Sequence, residues 1–303
     1  MGAMRRVLVT GIDGFTGRYV QLELESAGWE VFGTGMSDYA SDSRYRQADI
    51  RDLAHLREIV ADVQPDAVVH LAGLAFVGQG DANAFYDVNL LGTRNLLVAL
   101  AEAIKPPKCV LLASSANVYG NTTGGGLSEE MPMNPANDYA LSKLAMEYMA
   151  RLWQDKLPIV IARPFNYTGV GQSESFLLPK IVAHFRRRAE KIELGNLDVW
   201  RDFSDVRAVA QAYSRLLEVH PVGETVNICS GRLHSLREVL DMAERITGYR
   251  MRVEVNPDFV RENEVRTLCG SPAKLQNLIG PWETPELEET LRWMLDKANT
   301  SGA

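Results

Sequence analysis

At 303 residues the chain has room for one large or two modest domains. Apolar residues at 46% and charged residues at 23% exclude a disordered polypeptide, and a formal charge of −7, with no basic tract longer than Arg186-Arg187-Arg188, argues against nucleic-acid and anionic-membrane partners. Cys109, Cys229 and Cys269 lack CxxC spacing, which points to a reducing, cytoplasmic setting without a metal site, and no apolar run approaches the roughly 20 residues of a bilayer crossing.

In chain order, Val7-Leu8-Val9 reads as a buried strand, and Tyr19 to Ala27 as a helix stopped by Gly28. Glu30 to Gly33 restarts a strand. Leu53 to Val63 is helical, and Ala67 to Leu71 is the next strand after a Pro65-Asp66 turn. Ala82 to Ile104 reads as a long helix ended by Pro106-Pro107. Cys109 to Ala113 follows as strand, Asp138 to Gln154 as helix and Ile159 to Ala162 as strand. Strands separated by helices of this length predict right-handed crossovers, hence an α/β fold with a doubly wound parallel sheet. After Phe165 the alternation loosens, although Asp205 to Cys229 reads as a helix and strand returning to the sheet. The expected division is 4–166 plus 203–230 as a sheet domain, with 167–202 plus 231–303 as a smaller, discontinuous α/β cap.

Between the first strand and helix lies Thr10-Gly11-Ile12-Asp13-Gly14-Phe15-Thr16-Gly17, a GxxGxxG spacing. Glycines there let main chain approach a pyrophosphate, and the following helix offers unpaired N–H groups to it. The sheet domain therefore reads as Rossmann-like and dinucleotide-binding. An acid at the end of the second strand ordinarily holds the adenosine ribose hydroxyls. Here, 18 residues after Gly17, that position is Gly35. With no carboxylate to repel a 2′-phosphate, the reading leans to NADP(H) over NAD(H). Asp49-Ile50 is expected to end the third strand and to present Asp49 to the adenine.

Of the ten tyrosines, Tyr139 alone is followed four residues later by a lysine, Lys143. Residues i and i+4 share a helix face, so an ammonium is expected to lower the phenol from near 10 toward a range useful for proton exchange. Upstream, Ser114-Ser115-Ala116-Asn117 ends a strand, where ligands bind in open α/β sheets.

Taken with His70-Leu71-Ala72-Gly73, Asn89-Leu90-Leu91-Gly92-Thr93 and Val118-Tyr119-Gly120, these motifs resemble the extended short-chain dehydrogenase/reductase family from Val7 to about Trp293. The resemblance implies that Ser115 orients the reacting oxygen, Tyr139 is the general acid/base, and Lys143 holds the nicotinamide ribose. It implies further cofactor contacts from the Gly11–Gly17 turn, including Asp13, Phe15 and Thr16, and from Leu71, Ala72, Gly73, Asn89 and Pro164. Ser115, Ala116, Asn117 and Asn166 would meet the sugar nucleotide. It also implies a homodimer through the 82–104 and 141–152 helices, with Met146 and Met149 as candidate interface residues.

Within that family, dehydratases carry acids just after the serine, and the fucose-pathway epimerase-reductases carry a cysteine two positions on. This chain has Ala116-Asn117. What remains is hydride exchange at a sugar C4. Gly195-Asn196-Leu197 through Arg201-Asp202-Phe203-Ser204-Asp205-Val206-Arg207, and the Arg261 to Gly270 stretch, resemble the GDP-mannose 4,6-dehydratase and GDP-6-deoxy-4-keto-mannose reductase branch. By that resemblance Arg201 engages the diphosphate, and Arg261 and Glu264 the nucleotide's phosphate and ribose. The expectation is reduction of GDP-4-dehydro-6-deoxy-D-mannose to GDP-D-rhamnose or its C4 epimer GDP-6-deoxy-D-talose. The alternatives are a 4-epimerase with tightly held NAD, a GDP-mannose 4,6-dehydratase and a non-catalytic nucleotide-binding regulator.

Overall fold

A computed structural model describes residues 4–38, 42–75, 81–122, 125–259 and 265–297. Strands β1 (Arg6–Thr10), β2 (Glu30–Gly35) and β3 (Tyr45–Gln47) alternate with helices α1 (Phe15–Ser26) and α2 (Leu53–Val63). Next come β4 (Ala67–His70), then α3 (Ala82–Phe85), a π-helical segment Tyr86–Gly92 and α4 (Thr93–Ala101), the expected long helix with a wide turn in its middle. β5 (Cys109–Ala113), α5 (Asp138–Arg151) and β6 (Ile159–Pro164) follow.

The predicted return to the sheet is observed: α7, Val206–Val219, leads into a strand at Thr225–Ile228 that pairs in parallel with β6. Counting the intervening β7 (Asn166–Thr168), α6 (Leu177–Arg186), β8 (Lys191–Leu194) and β9 (Trp200–Asp205), that returning strand is β10. The seven strands lie in the order β10-β6-β5-β4-β1-β2-β3, all parallel. The order reverses between β1 and β4, which opens a crevice at their carboxyl ends. Such a sheet is buried on both faces, and so its strands are unbroken apolar runs: Val7, Leu8 and Val9, and Val110, Leu111 and Leu112, are fully buried. One apolar cluster packs α1 and α7 on one face, and a second packs α2, α4 and α5 on the other.

The rest of the chain builds smaller sheets above the strand ends. β9 is shared by β11 (Leu233–Ser235), β7 and β13 (Thr267–Leu268), and β8 pairs with β12 (Arg252–Val255). Helices α6, α8 (Leu236–Thr247) and α10 (Leu287–Lys297) supply a separate apolar cluster around Ile181, Val239 and Leu291, while α9 (Ala273–Ile279) packs Leu275 into the cluster of α1 and α7. Two acids of the Gly195–Arg207 stretch hold this region together. Asp202, fully buried, accepts from the main-chain N–H of Ser230, Gly231 and Gly270. Asp205 caps α7 and accepts from the Thr290 hydroxyl.

Candidate active site

The glycine turn is shaped by close approach. Gly11 has φ +70°, and a Cβ there would lie 2.8 Å from the Ala72 nitrogen; one on Gly17 would lie 2.4 Å from the Gly11 carbonyl oxygen. Only glycine allows this turn to fold against β4 while leaving its outer surface open at the start of α1. Such a cradle fits a dinucleotide pyrophosphate.

Beside it, the ends of β1 and β4 are locked by a buried hydroxyl–imidazole chain. Thr93 donates its hydroxyl proton to the Asn89 carbonyl oxygen at 2.7 Å, so it accepts from His70 Nε2 at 2.8 Å. His70 Nδ1 then accepts from Thr10 Oγ1 at 2.7 Å. Burial above all, and then the Lys143 charge, push the imidazole down to about 3, so it stays neutral. This chain also fixes the π-helical segment and Asn89 within it.

Asn89 was expected at the cofactor. Instead it is fully buried, accepts from the Leu74 N–H at 2.8 Å, and donates to the Leu74 carbonyl and to Ser142 Oγ. Ser142 Oγ donates in turn to the Tyr139 carbonyl. The wide turn thus aims one amide at two segments, the 71–75 loop and α5, and Asn89 positions both.

The constellation at the end of β5 forms as predicted. Ser115 caps the short 3₁₀ turn Ala116–Tyr119, its Oγ accepting from the Asn117 N–H at 3.2 Å. Asn137 caps α5, which turns Tyr139 and Lys143 inward; Tyr139 and Ser115 line the same cavity wall, and Lys143 Nζ donates to the Ala113 carbonyl at 2.8 Å. The electrostatics differ from expectation. Burial dominates and pushes the Tyr139 phenol up to about 12, opposed by the Ser115 hydroxyl. Burial also brings Lys143 down to about 8, opposed by Glu147. With Lys143 bonded to main chain, Tyr139 is a protonated phenol at neutral pH, the form that an acid needs.

A buried charge network supports this arrangement. Arg163 on β6 and Glu147 on α5 pair at 2.6 Å with 1% of either side chain exposed. Glu147 also accepts from Ser114 Oγ at 2.5 Å, while Arg163 Nη1 donates to Tyr119 Oη, which donates to Asn227 on β10. Sequence reading missed Glu147, although its place four residues beyond Lys143 and eight beyond Tyr139 sets it on the same helix face.

A cavity of about 550 Å³ joins the glycine turn to the constellation. Its walls include the turn from Gly11 to Gly17 apart from Ile12, then Leu71, Gly73, the Ser115–Asn117 run, Tyr139, Lys143, Pro164 and Asn166. Tyr167, also unforeseen, closes one side: it stacks on Phe15 at 6.2 Å between centroids, and its hydroxyl lies 2.8 Å from Thr16 Oγ1.

Several expected contacts lie elsewhere. Asp49 follows β3 and is held by Arg51 at 2.6 Å, which lowers its carboxyl's pKa. Ile50 is buried against Gly92. Ala72 does not line the cavity; its N–H is turned to Thr10 Oγ1. Arg201 donates to the carbonyls of Trp200 and Arg266, one strand from the cavity-lining Leu268. Arg261 and Glu264 lie outside the described residues. Met146 is fully buried core; the exposed apolar residues of the 82–104 and 141–152 segments include Leu91, Ile104, Leu141, Tyr148 and Leu152. Among the described residues no helix is long and apolar enough to cross a membrane, and no cluster of His, Cys, Asp or Glu could hold a metal.

The parallel sheet, the glycine cradle and the Ser115–Tyr139–Lys143 grouping define a nucleotide-dependent oxidoreductase of the short-chain dehydrogenase/reductase type. The model of the family described as GDP-mannose 4,6 dehydratase matches residues 8–294, and the chain belongs to that family. It is 34% identical over 276 residues to GDP-6-deoxy-D-talose 4-dehydrogenase from Aggregatibacter actinomycetemcomitans, covering 91% of each. It is 34% identical over 304 residues to GDP-6-deoxy-D-mannose reductase from Pseudomonas aeruginosa, covering 96% of each. A crystal structure of a candidate epimerase from Burkholderia cenocepacia J2315 superposes with a TM-score of 0.92 at 53% identity, over 98% of both chains. The structure of RMD from Pseudomonas aeruginosa complexed with NADPH superposes with a TM-score of 0.84 at 31% identity, over 98% of this chain and 99% of that one.

Proposed function

We propose that the chain reduces the 4-keto group of a GDP-activated 6-deoxyhexose, taking GDP-4-dehydro-6-deoxy-D-mannose to GDP-D-rhamnose or to GDP-6-deoxy-D-talose. The observation that carries this reading is that Tyr139, Lys143 and Ser115 share one cavity wall with the neutral residues Ala116 and Asn117. A dehydratase needs a group there to take a proton from carbon, and neither residue can. The names of the relatives supply the GDP-6-deoxy sugar and the C4 position.

A nicotinamide dinucleotide, when bound, supplies the hydride. Tyr139 gives its phenolic proton to the oxygen that becomes the C4 hydroxyl. Ser115, on the same cavity wall as that phenol, orients the same oxygen. Lys143, still cationic at neutral pH, holds the ribose and favours the phenolate that the transfer leaves behind. Arg201, with Arg261 and Glu264, is assigned to the nucleotide end; the pairing of Arg201 with the cavity-lining Leu268 supports this. The exposed face of Leu91, Leu141, Tyr148 and Leu152 is assigned to a homodimer.

The Burkholderia neighbour favours a second reading, a 4-epimerase that retains its cofactor. Denaturing the purified protein and assaying the supernatant separates the two. The reductase reading expects nicotinamide nucleotide well below one equivalent per chain and consumption of added NAD(P)H on addition of the 4-keto sugar. Stoichiometric retained NAD, with turnover and no net oxidation, would establish the epimerase.

A further inference from the structure

The end of β2 has no acid of its own, but the fold brings one to it. Asp13, from the glycine turn, folds back over Gly35: a Cβ on Gly35 would lie 2.1 Å from Asp13 Oδ1. Asp13 Oδ2 accepts from the main-chain N–H groups of Met36 and Ser37 at 3.0 and 2.9 Å. Gly35 is therefore the gap that admits a carboxylate borrowed from another element. Asp13 also borders two spaces, the main cavity and a recess of about 290 Å³ bounded by Arg18, Asp42 and Arg44. That junction lies where the adenosine half of a dinucleotide leaves the pyrophosphate cradle in folds of this kind.

We propose that Asp13 is the residue that selects the adenosine ribose, and that it selects a free 2′-hydroxyl, so that NAD(H) is preferred to NADP(H). The inference rests on the dinucleotide-binding reading above and reverses the preference drawn from Gly35 alone. Three features carry it. Among the described residues Asp13 Oδ1 has no protein donor, which leaves it to accept from a ribose hydroxyl. The two N–H groups beyond β2, which could otherwise serve a 2′-phosphate, are already given to Oδ2. A phosphate placed there would face a carboxylate at short range, a repulsion only partly screened at a half-buried site. The recess does not reverse this balance: Arg18 and Arg44 face Asp13 and Asp42 there, and Arg44 also pairs with Glu25 at 3.9 Å, so it holds no excess of positive charge. The Pseudomonas neighbour holds NADPH, so the two proteins would share a fold and differ in cofactor.

The test is a calorimetric titration of the purified protein with NADH and with NADPH, without sugar nucleotide. NADH is expected to bind about tenfold tighter or more, and Asp13→Asn, which keeps the shape and removes the charge, to narrow that ratio about tenfold. Asp13→Ser is the second variant should the first not fold. Tighter binding of NADPH by the unmodified protein would overturn the proposal alone, as would an unchanged ratio in the variants. Absence of binding by either nucleotide would overturn it together with the dinucleotide reading.

Discussion

The two ends of the cavity are built differently. At the nucleotide end, the groups leave strand termini within a few residues, except Tyr139 and Lys143 on α5, and the main chain does most of the shaping. The glycine turn, the 71–75 loop and the Ser115 turn all leave the carboxyl ends of adjacent parallel strands in the middle of one sheet. At the sugar-nucleotide end, candidate residues come from β9 and from β13 with the stretch before it, two parts of the chain some fifty residues apart. Spacing in the sequence therefore speaks for the first end far more than for the second. Within the Gly195–Arg207 stretch, Asp202 and Asp205 tie loops and a helix together, so part of that motif serves architecture.

If that contrast holds, the largest losses come from the nucleotide end. Tyr139→Phe should lower kcat by about 10²–10⁴-fold while cofactor binding persists, read by steady-state kinetics beside a nucleotide titration. Near-normal turnover would remove the phenol from the proton transfer. Gly17→Ala should abolish measurable nucleotide binding in that same titration, since its methyl group would collide with the Gly11 carbonyl and with Ile12. Retained affinity would mean that the turn is not the cradle.

The support behind the constellation comes next. Glu147→Gln leaves the Arg163 guanidinium buried without its counter-charge, and should cost roughly 3–5 kcal/mol in denaturant unfolding. A loss below about 1 kcal/mol would show that Tyr119 and water compensate.

The pH dependence follows from burial. Lys143 is brought down to about 8, and its cationic form is the low-pH form, so kcat/KM for reduction should be level below that value and fall as pH rises through it. Tyr139, near 12, keeps its proton across this window. A rise in rate with pH between 7 and 9 would instead mark the phenolate as the starting form.

The smallest expected change is at the cap. Arg201→Ala should raise KM for the sugar nucleotide about tenfold with kcat nearly unchanged, the worth of a charge-assisted contact. An unchanged KM would leave Arg201 an architectural role beside the carbonyls of Trp200 and Arg266.

Much of the nucleotide half was legible in sequence because strand, turn and helix follow one another locally: the Gly11–Gly17 turn, the Tyr139–Lys143 pair and Ser115 all take their expected places. The errors share a cause, which is that a residue's partner lies far away in the chain. Gly35 looked vacant until Asp13 folded over it. Asn89 looked like a ligand until Leu74 and Ser142 closed on it. The Tyr139–Lys143 spacing suggested an acidified phenol, but the depth of the site decided the sign, and depth depends on what packs above.

The central claim is that Tyr139 delivers a proton to a sugar C4 oxygen as hydride reaches the carbon. It is tested most directly by mixing the protein, GDP-4-dehydro-6-deoxy-D-mannose and reduced nicotinamide dinucleotide, then following nucleotide oxidation and the C4 centre by NMR. The account predicts one nucleotide oxidised per keto sugar consumed and a single new C4 carbinol. Consumption of the sugar without nucleotide oxidation, or no reaction while Tyr139 and cofactor are intact, would contradict it.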